Sequence, residues 1–221
     1  QWQSSNWAAK LNLFYMDYNN QLVPTGEKSN VGNDIMTNVQ SSYRRGMELM
    51  MRLKPLEWLS WSGNATFSQN RIENFVSYAE HYKVTESAYA YQGNKPRELG
   101  ETHLAYSPEI IGASTLNLHF NERWNIALNS KYVGEQYFDN TSSPDRKLEP
   151  YFVNNLKASY TLEPGKLEYL RLRLSVNNLF DVQYESSAYG GHWYENDTEL
   201  TWAYYYPQAG IHFMAGVDIR I

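Results

Sequence analysis

An all-β chain forming an antiparallel barrel wall is the fold this sequence predicts, and three observations carry the prediction. Eight segments read as strands, and several alternate apolar and polar residues cleanly, which is the side-chain period of a strand. The connections between them alternate between short and long. Aromatic residues crowd the segment ends, with 19 Tyr and 7 Trp in 221 residues. No apolar run approaches the ~20 residues that a membrane-spanning helix needs, and mean hydropathy is −0.63. That excludes helical membrane proteins but not barrels, whose strands alternate.

Taken in order, segment 7–22 puts Ala9, Leu11, Leu13 and Tyr15 on one face and Lys10 and Asn12 on the other. Segment 43–54 sets Arg45, Met47, Leu49, Met51 and Leu53 against Arg44, Gly46, Glu48 and Arg52. Segment 57–72 sets Leu59, Trp61, Gly63, Ala65 and Phe67 against Ser60, Ser62, Asn64, Thr66 and Ser68. Segment 102–120 ends in Leu116, Leu118 and Phe120 opposite Thr115, Asn117 and His119; Pro108 makes its first half irregular or an edge. Segment 124–134 carries Trp124, Ile126 and Leu128 opposite Asn125 and Asn129. Segment 151–162 carries Leu156, Ala158, Tyr160 and Leu162 opposite Asn155, Lys157 and Ser159. Segment 169–184 carries Leu170, Leu172, Leu174 and Val176 opposite Arg171, Arg173, Ser175 and Asn177. The eighth segment runs to the last residue. It sets Phe213, Ala215, Val217, Ile219 and Ile221 against His212, Met214, Gly216, Asp218 and Arg220. A greasy terminal strand with a free edge invites aggregation, so both edges are expected to be paired, which barrel closure achieves.

Short connections lie at Lys54-Pro55-Leu56, Asn121-Glu122-Arg123 and Glu163-Pro164-Gly165-Lys166; long ones cover roughly 23–42, 73–101, 135–150 and 185–203. Short turns at one end and long loops at the other are the layout of an outer-membrane barrel. Alternation alone does not choose between two media. In a sandwich the apolar face is the core; in a membrane barrel it meets lipid, and Lys10, Arg52, Lys157, Arg171, Arg173, Asp218 and Arg220 face a wet lumen. Aromatic placement favours the membrane. Tyr15, Trp58, Trp124, Tyr132, Tyr151, Tyr160, Tyr169, Tyr184 and Tyr204 to Tyr206 gather near segment ends, where half-buried rings keep wet polar tips. Covering of Leu172, Phe213 and Val217 by a second sheet of the same chain would overturn this reading.

The net charge of −5 argues against nucleic acid as the main partner. The absence of Cys removes disulfides and thiolate metal sites. The chain starts at Gln1 without a signal peptide, so it is expected to be a fragment or a processed chain.

Three stretches resemble the C-terminal barrel of bacterial TonB-dependent outer-membrane receptors. They are Lys131-Tyr132-Val133-Gly134-Glu135-Gln136-Tyr137-Phe138-Asp139-Asn140-Thr141, Val176-Asn177-Asn178-Leu179-Phe180-Asp181-Val182-Gln183-Tyr184, and Tyr205-Tyr206-Pro207-Gln208-Ala209-Gly210 running to the terminus. Tyr43-Arg44-Arg45-Gly46-Met47-Glu48-Leu49 is similar to the family's Gly-Xaa-Glu strand, and the whole is similar to the Bacteroidetes iron-complex type. The chain ends in Ile221, where members commonly end in an aromatic residue. The resemblance implies an antiparallel transmembrane β-barrel, with residues 1–221 supplying about eight strands of a 22-stranded wall and no plug domain. It implies TonB-energised uptake of a scarce ligand across the bacterial outer membrane, with an iron–siderophore or haem complex as ligand. The implied partners are outer-membrane lipid and the TonB complex, reached through an N-terminal part. Long loops would be extracellular, short turns periplasmic, and the polar row would face the plug or the translocation path.

Candidate chemistry is sparse. His81-Tyr82 and His192-Trp193-Tyr194 fall in long connections and could contact haem or an aromatic siderophore by ligation or stacking. As surface residues of an aromatic-rich chain they need no ligand, and one His per loop is not a metal set. Arg171 and Arg173 could attract an anionic ligand or plug carboxylates, or simply be solvated in a lumen. His103, His119 and His212 fall on expected inward faces, where lumen hydrogen bonding explains them. Asp139-Asn140-Thr141 with Asp145 could offer oxygens to Ca²⁺, but turn chemistry accounts for them equally. Asn177, Asn178 and Asp181 are expected to end a strand and shape its exit. No Gly-Xaa-Ser-Xaa-Gly, His-Glu-Xaa-Xaa-His or phosphate-cradling Gly loop occurs, so no enzyme, metal or cofactor is assigned. Two rivals stand beside the receptor: a complete eight-stranded outer-membrane barrel with structural or adhesive loops, and a soluble carbohydrate-binding β-sandwich.

Overall fold

Alternating sequence becomes alternating wall. The computed structural model describes residues 2–28, 33–121, 123–165 and 167–221. Gln1, residues 29–32 of the first long connection, and Glu122 and Lys166 of two short turns lie outside the described residues. The strands are β1 (Trp2–Gln3), β2 (Trp7–Lys28), β3 (Asp34–Leu56), β4 (Leu59–Thr85), β5 (Ala88–His103), β6 (Ile110–Phe120), β7 (Trp124–Val133), β8 (Gln136–Tyr137), β9 (Lys147–Leu148), β10 (Tyr151–Leu162), β11 (Tyr169–Asn177), β12 (Glu185–Glu195), β13 (Thr198–Pro207) and β14 (His212–Arg220). The wall order is β1-β2-β3-β4-β6-β7-β10-β11-β14; β5 and β12 both pair with β4, β13 pairs with β12, and β8 pairs with β9.

Register aligns the alternation from strand to strand. One apolar row passes through Leu53, Trp61, Leu116, Leu128, Leu156, Val176 and Phe213, each paired with the next. On the other face Ser62, Thr115, Asn129 and Asn155 form a polar row, in which the Thr115 hydroxyl donates to Asn129 Oδ1 at 3.0 Å. A slip of one residue would swap the two faces, so the pattern itself fixes the register. Near the short turns, rings pair along the edge of the apolar belt: Trp58 with Phe120 (5.4 Å between centroids) and Trp124 with Tyr160 (4.6 Å).

Among the described residues no second layer covers that belt. Leu172 is 44% exposed, Phe213 66% and Val217 58%. The sandwich reading therefore fails, because a sandwich would bury these side chains. The sheet also does not close on itself. Among the described residues β14 bonds to β11 alone, and the β1–β2 edge ends the other side. The expectation that both edges of the terminal strand are paired is corrected here: the chain is an arc of wall, not a closed eight-stranded barrel.

Two expected segments are shorter. The 102–120 segment breaks at Leu104, and β6 begins only at Ile110, with Pro108 between them. The 169–184 segment ends at Asn177. The long connections, conversely, hold more strand than expected. β2 and β3 continue pairing to Lys28 and Asp34, and β4–β5 and β12–β13 are hairpins. Buried apolar clusters lie at this end of the molecule. Val23, Val39, Ile72, Phe75 and Leu104 form one; Phe138, Leu148 and Ala188 form the other. An exposed wall and a packed cap follow directly, because the cap is where side chains from different connections meet.

Candidate functional site

The two His-aromatic motifs sit on strands rather than in loops, and the fold brings them together. β12 runs parallel to β4, pairing Trp193 with Glu80, Tyr194 with His81 and Glu195 with Tyr82. In the wall, β4 and β11, from which β12 follows, are four places apart, about 19 Å at the usual strand spacing. The β12–β13 hairpin thus leans across the intervening strands to reach β4. Its tip is clamped there by Asn196, at φ 55°, a left-handed turn conformation that Asn adopts readily. Val84 N–H donates to Asn196 Oδ1 at 3.1 Å, Asn196 Nδ2 donates to Val84 O at 3.2 Å, and Asn196 N–H donates to Tyr82 O at 2.8 Å. His81 Nε2 lies 2.7 Å from Asn196 O. Tyr82 stacks on Tyr89 at 4.7 Å and donates its hydroxyl to Glu80, which pushes its ionisation up to about 12.

Beneath the hairpin a buried cation ties two connections together, and a second cation adds a third through a shared carboxylate. Arg146 is 2% exposed; its Nε lies 2.8 Å from Asp139 Oδ2, its Nη2 donates to Thr141 Oγ1 at 2.8 Å, and its Nη1 is 3.4 Å from Glu199 Oε1. Arg97 of β5 ion-pairs with the same Glu199 and donates to Tyr194 Oη at 3.2 Å. A buried guanidinium is tolerated only when paired and hydrogen-bonded, as here. His192 faces a cleft of about 180 Å³ lined by Pro24, Phe75, Tyr106, Asn140 and Gly191. Its Nε2 is 3.4 Å from Ser77 Oγ, and its buried Nδ1 has no partner among the described residues. Burial, aided by the nearby Arg146 charge, holds this imidazole below its ordinary pKa and so neutral.

Arg171 and Arg173 do not join this cluster. They lie on the wall's polar face, where Arg173 Nη2 contacts Asp218 Oδ1 at 2.6 Å and Arg171 Nε donates to Thr161 Oγ1 at 3.2 Å. Arg173 lines a concavity of about 610 Å³ with Asn125, Lys157 and Ser175. His103 ends β5 instead of lying on a wall strand; its Nδ1 is 3.0 Å from Ser142 Oγ and burial lowers its pKa. His119 lies opposite Asn125 in β6, and His212 Nδ1 is 2.9 Å from Gly210 O. Asp139 accepts from Thr141 N–H (2.9 Å) and Oγ1 (2.6 Å) besides Arg146, while Asp145 is exposed. No cluster of three or more potential metal ligands occurs among the described residues. Asn178 behaves as expected of a strand exit: its Nδ2 donates to Val182 O (2.9 Å) and Ala209 O (3.1 Å), and Ile211 N–H donates to Asp181 Oδ1 (2.8 Å).

Sequence reasoning missed Arg146, Arg97, Glu199 and Asn196. Arg146 and Glu199 are 53 positions apart, and no periodicity links them. It also left unread an aromatic face on β12–β13, where Tyr189, Trp202, Tyr204 and Tyr206 lie within 5.4–5.8 Å of one another in successive ring contacts.

Residues 1–179 match the family described as TonB dependent receptor-like, beta-barrel. The chain belongs to this family. As a TonB-dependent receptor barrel it shares its fold with several solved structures. The siderophore receptor PiuA from Acinetobacter baumannii matches at 13% identity with a TM-score of 0.68, over 100% of this chain and 27% of that one. The ferric yersiniabactin uptake receptor FyuA from Yersinia pestis matches at 15% identity and 0.59, over 100% and 28%. The copper transporter OprC matches at 14% and 0.63, over 100% and 30%. The chain thus spans under a third of the receptors it resembles. No curated protein sequence matches it.

Proposed function

We propose that residues 1–221 are the C-terminal portion of the β-barrel of an outer-membrane receptor that takes up a scarce ligand with energy passed through TonB, and that the protein is not an enzyme. The observation that carries this is the exposed apolar belt. Leu172, Leu174, Phe213 and Val217 would meet lipid, while Arg171, Arg173, Lys157 and Asp218 would face the interior. The ligand is an iron complex, a siderophore or haem chelate; the siderophore receptor PiuA and the ferric yersiniabactin uptake receptor FyuA, which share this fold, support the siderophore reading. The clamped hairpins, which carry His81, Tyr82 and Trp193, form the first surface such a ligand meets, with His192 and Tyr194 turned into the packed cap beneath it. Arg171 and Arg173 line its path below. TonB would be engaged by a part outside these residues.

The reading is tested by deleting the gene and measuring uptake of radiolabelled ferric complexes under iron limitation. Loss of energised uptake of one complex, restored by the intact gene, is expected. Unchanged uptake of every iron complex tried, with the protein found outside the outer membrane, contradicts it.

A further inference from the structure

The β12–β13 hairpin has two unlike faces. Ala188, Gly190, His192 and Tyr194 face the packed cap, pairing with Tyr205, Ala203, Thr201 and Glu199. The opposite face carries Tyr189, Trp202, Tyr204 and Tyr206, and among the described residues no layer covers these rings: Tyr204 is 61% exposed and Tyr206 53%. The rings form one continuous shelf. Tyr189 stacks on Tyr204 at 5.4 Å and lies tilted against Tyr206 at 5.8 Å, and Trp202 meets Tyr204 edge-on at 5.5 Å. Trp202 lies over Gly191, where an added Cβ would come within 3.0 Å of the indole nitrogen. The missing side chain lets the indole lie against the strand.

Charge identifies what such a shelf would bind. Residues 178–211 contain five carboxylates and no Lys or Arg. Across the three cap regions 68–109, 134–150 and 178–211 there are fifteen carboxylates and six Lys or Arg, a formal −9 in a chain of −5, so the remaining residues sum to +4. The cap's cations are already committed: Arg71 to Glu101 and Glu109, Lys95 to Asp197, Arg97 and Arg146 to Glu199, and Lys147 to Glu135 and Glu149. Among the described residues of these three regions, Lys83 alone of the Lys and Arg side chains makes no ion pair. An anion arriving here meets repulsion and almost no available donor cation, whereas a cation meets ring faces with negative quadrupoles and an attractive field.

We propose that the aromatic face of β12–β13 is a binding surface for a positively charged ligand, an ammonium-bearing or otherwise cationic chelate, held by cation–π contact with Trp202, Tyr204, Tyr189 and Tyr206. This rests on the uptake reading and narrows it, disfavouring anionic tris-catecholates and haem.

The test uses the full-length receptor purified in non-ionic detergent and two porphyrins of matched shape, one bearing four N-methylpyridinium groups and one bearing four sulfonates, followed by fluorescence. The cationic porphyrin is expected to bind with an affinity that falls as salt rises, and the sulfonated one to bind at least tenfold more weakly. Replacing both rings in Trp202→Ala/Tyr204→Ala should weaken the cation by about tenfold, the order expected from losing two such contacts. Trp202→Phe/Tyr204→Phe should retain most of the binding. If the double alanine variant does not fold, Tyr206→Ala, at an exposed ring, gives the same comparison. Equal or tighter binding of the sulfonated probe, no binding of the cationic one, or binding indifferent to the rings overturns the proposal. Because binding is read on purified protein, its failure is distinct from a failure of uptake in cells.

Discussion

Arg146 and His192 show how single side chains set the behaviour of the cap. Arg146 satisfies Asp139, Thr141 and Glu199 from a buried position. Removing one member of a buried ion pair leaves its partners uncompensated, so Arg146→Met should cost about 3 kcal/mol of local stability. Hydrogen exchange in the full-length receptor would show this as lost protection at β12 and β13 with the wall strands unchanged. His192 makes the cap acid-sensitive. Its folded pKa lies below the ordinary imidazole value of about 6.5. Between those two values the opened state binds more protons than the closed one, so the stability of the closed cap rises with pH. This contribution is complete above about pH 6.5 and is lost as pH falls towards the folded value. Protection of β12 amides, corrected for intrinsic exchange, should therefore decline on acidification below that point. His192→Gln should remove this residue's share of the slope, leaving the share of His103, which burial also lowers. An unchanged slope in that variant would contradict the assignment.

At the scale of elements, the Asn-Asn-Leu-Phe-Asp stretch is a knot between strands. Asn178 (φ 49°) and Asp181 (φ 52°) hold left-handed turns while their side chains tie the exit of β11 to the entry of β14. Asn178→Ala leaves Val182 N–H, Val182 O and Ala209 O without their side-chain partner, and about 2 kcal/mol of destabilisation is expected. It should appear as faster exchange at Ile211 and His212; protection equal to wild type would show that the knot is dispensable. The Gly-Xaa-Glu strand has an equally local reason. A Cβ on Gly46 would sit 2.2 Å from Phe67 O, so a side chain there would push β3 off β4. The eight long wall strands were legible because each presents one greasy face, and alternation reports that directly; the two-residue β1 was not. The cap strands were not. Their buried faces are assembled from several connections, so Phe75 packs on Val23 and Leu104, and Phe138 on Ala188. No single segment shows that face in its own sequence. The same holds for the site: His81 and His192 stood out as residue types, but the juxtaposition of their strands depends on a parallel β4–β12 pairing between connections more than a hundred residues apart.

For the whole molecule, the decisive property is the division of the wall into an apolar face and a charged one. Leu174→Arg on the apolar face should hinder insertion into bilayers by about 2–4 kcal/mol, the cost of a cation near the membrane midplane. Ser175→Arg, one residue along on the polar face beside Arg173, should be nearly neutral. Folding titrations of the full-length receptor into lipid vesicles separate the two. A more direct measurement places nitroxide labels singly at Leu172, Leu174, Val217 and Ile219, and at Arg173, Ser175, Gly216 and Asp218, in the receptor reconstituted in a bilayer. Collision with dissolved oxygen should dominate at the first four positions, and collision with a water-soluble nickel chelate at the second four. Water accessibility at the first four positions equal to that at the second would contradict the lipid-facing wall, and with it the receptor reading.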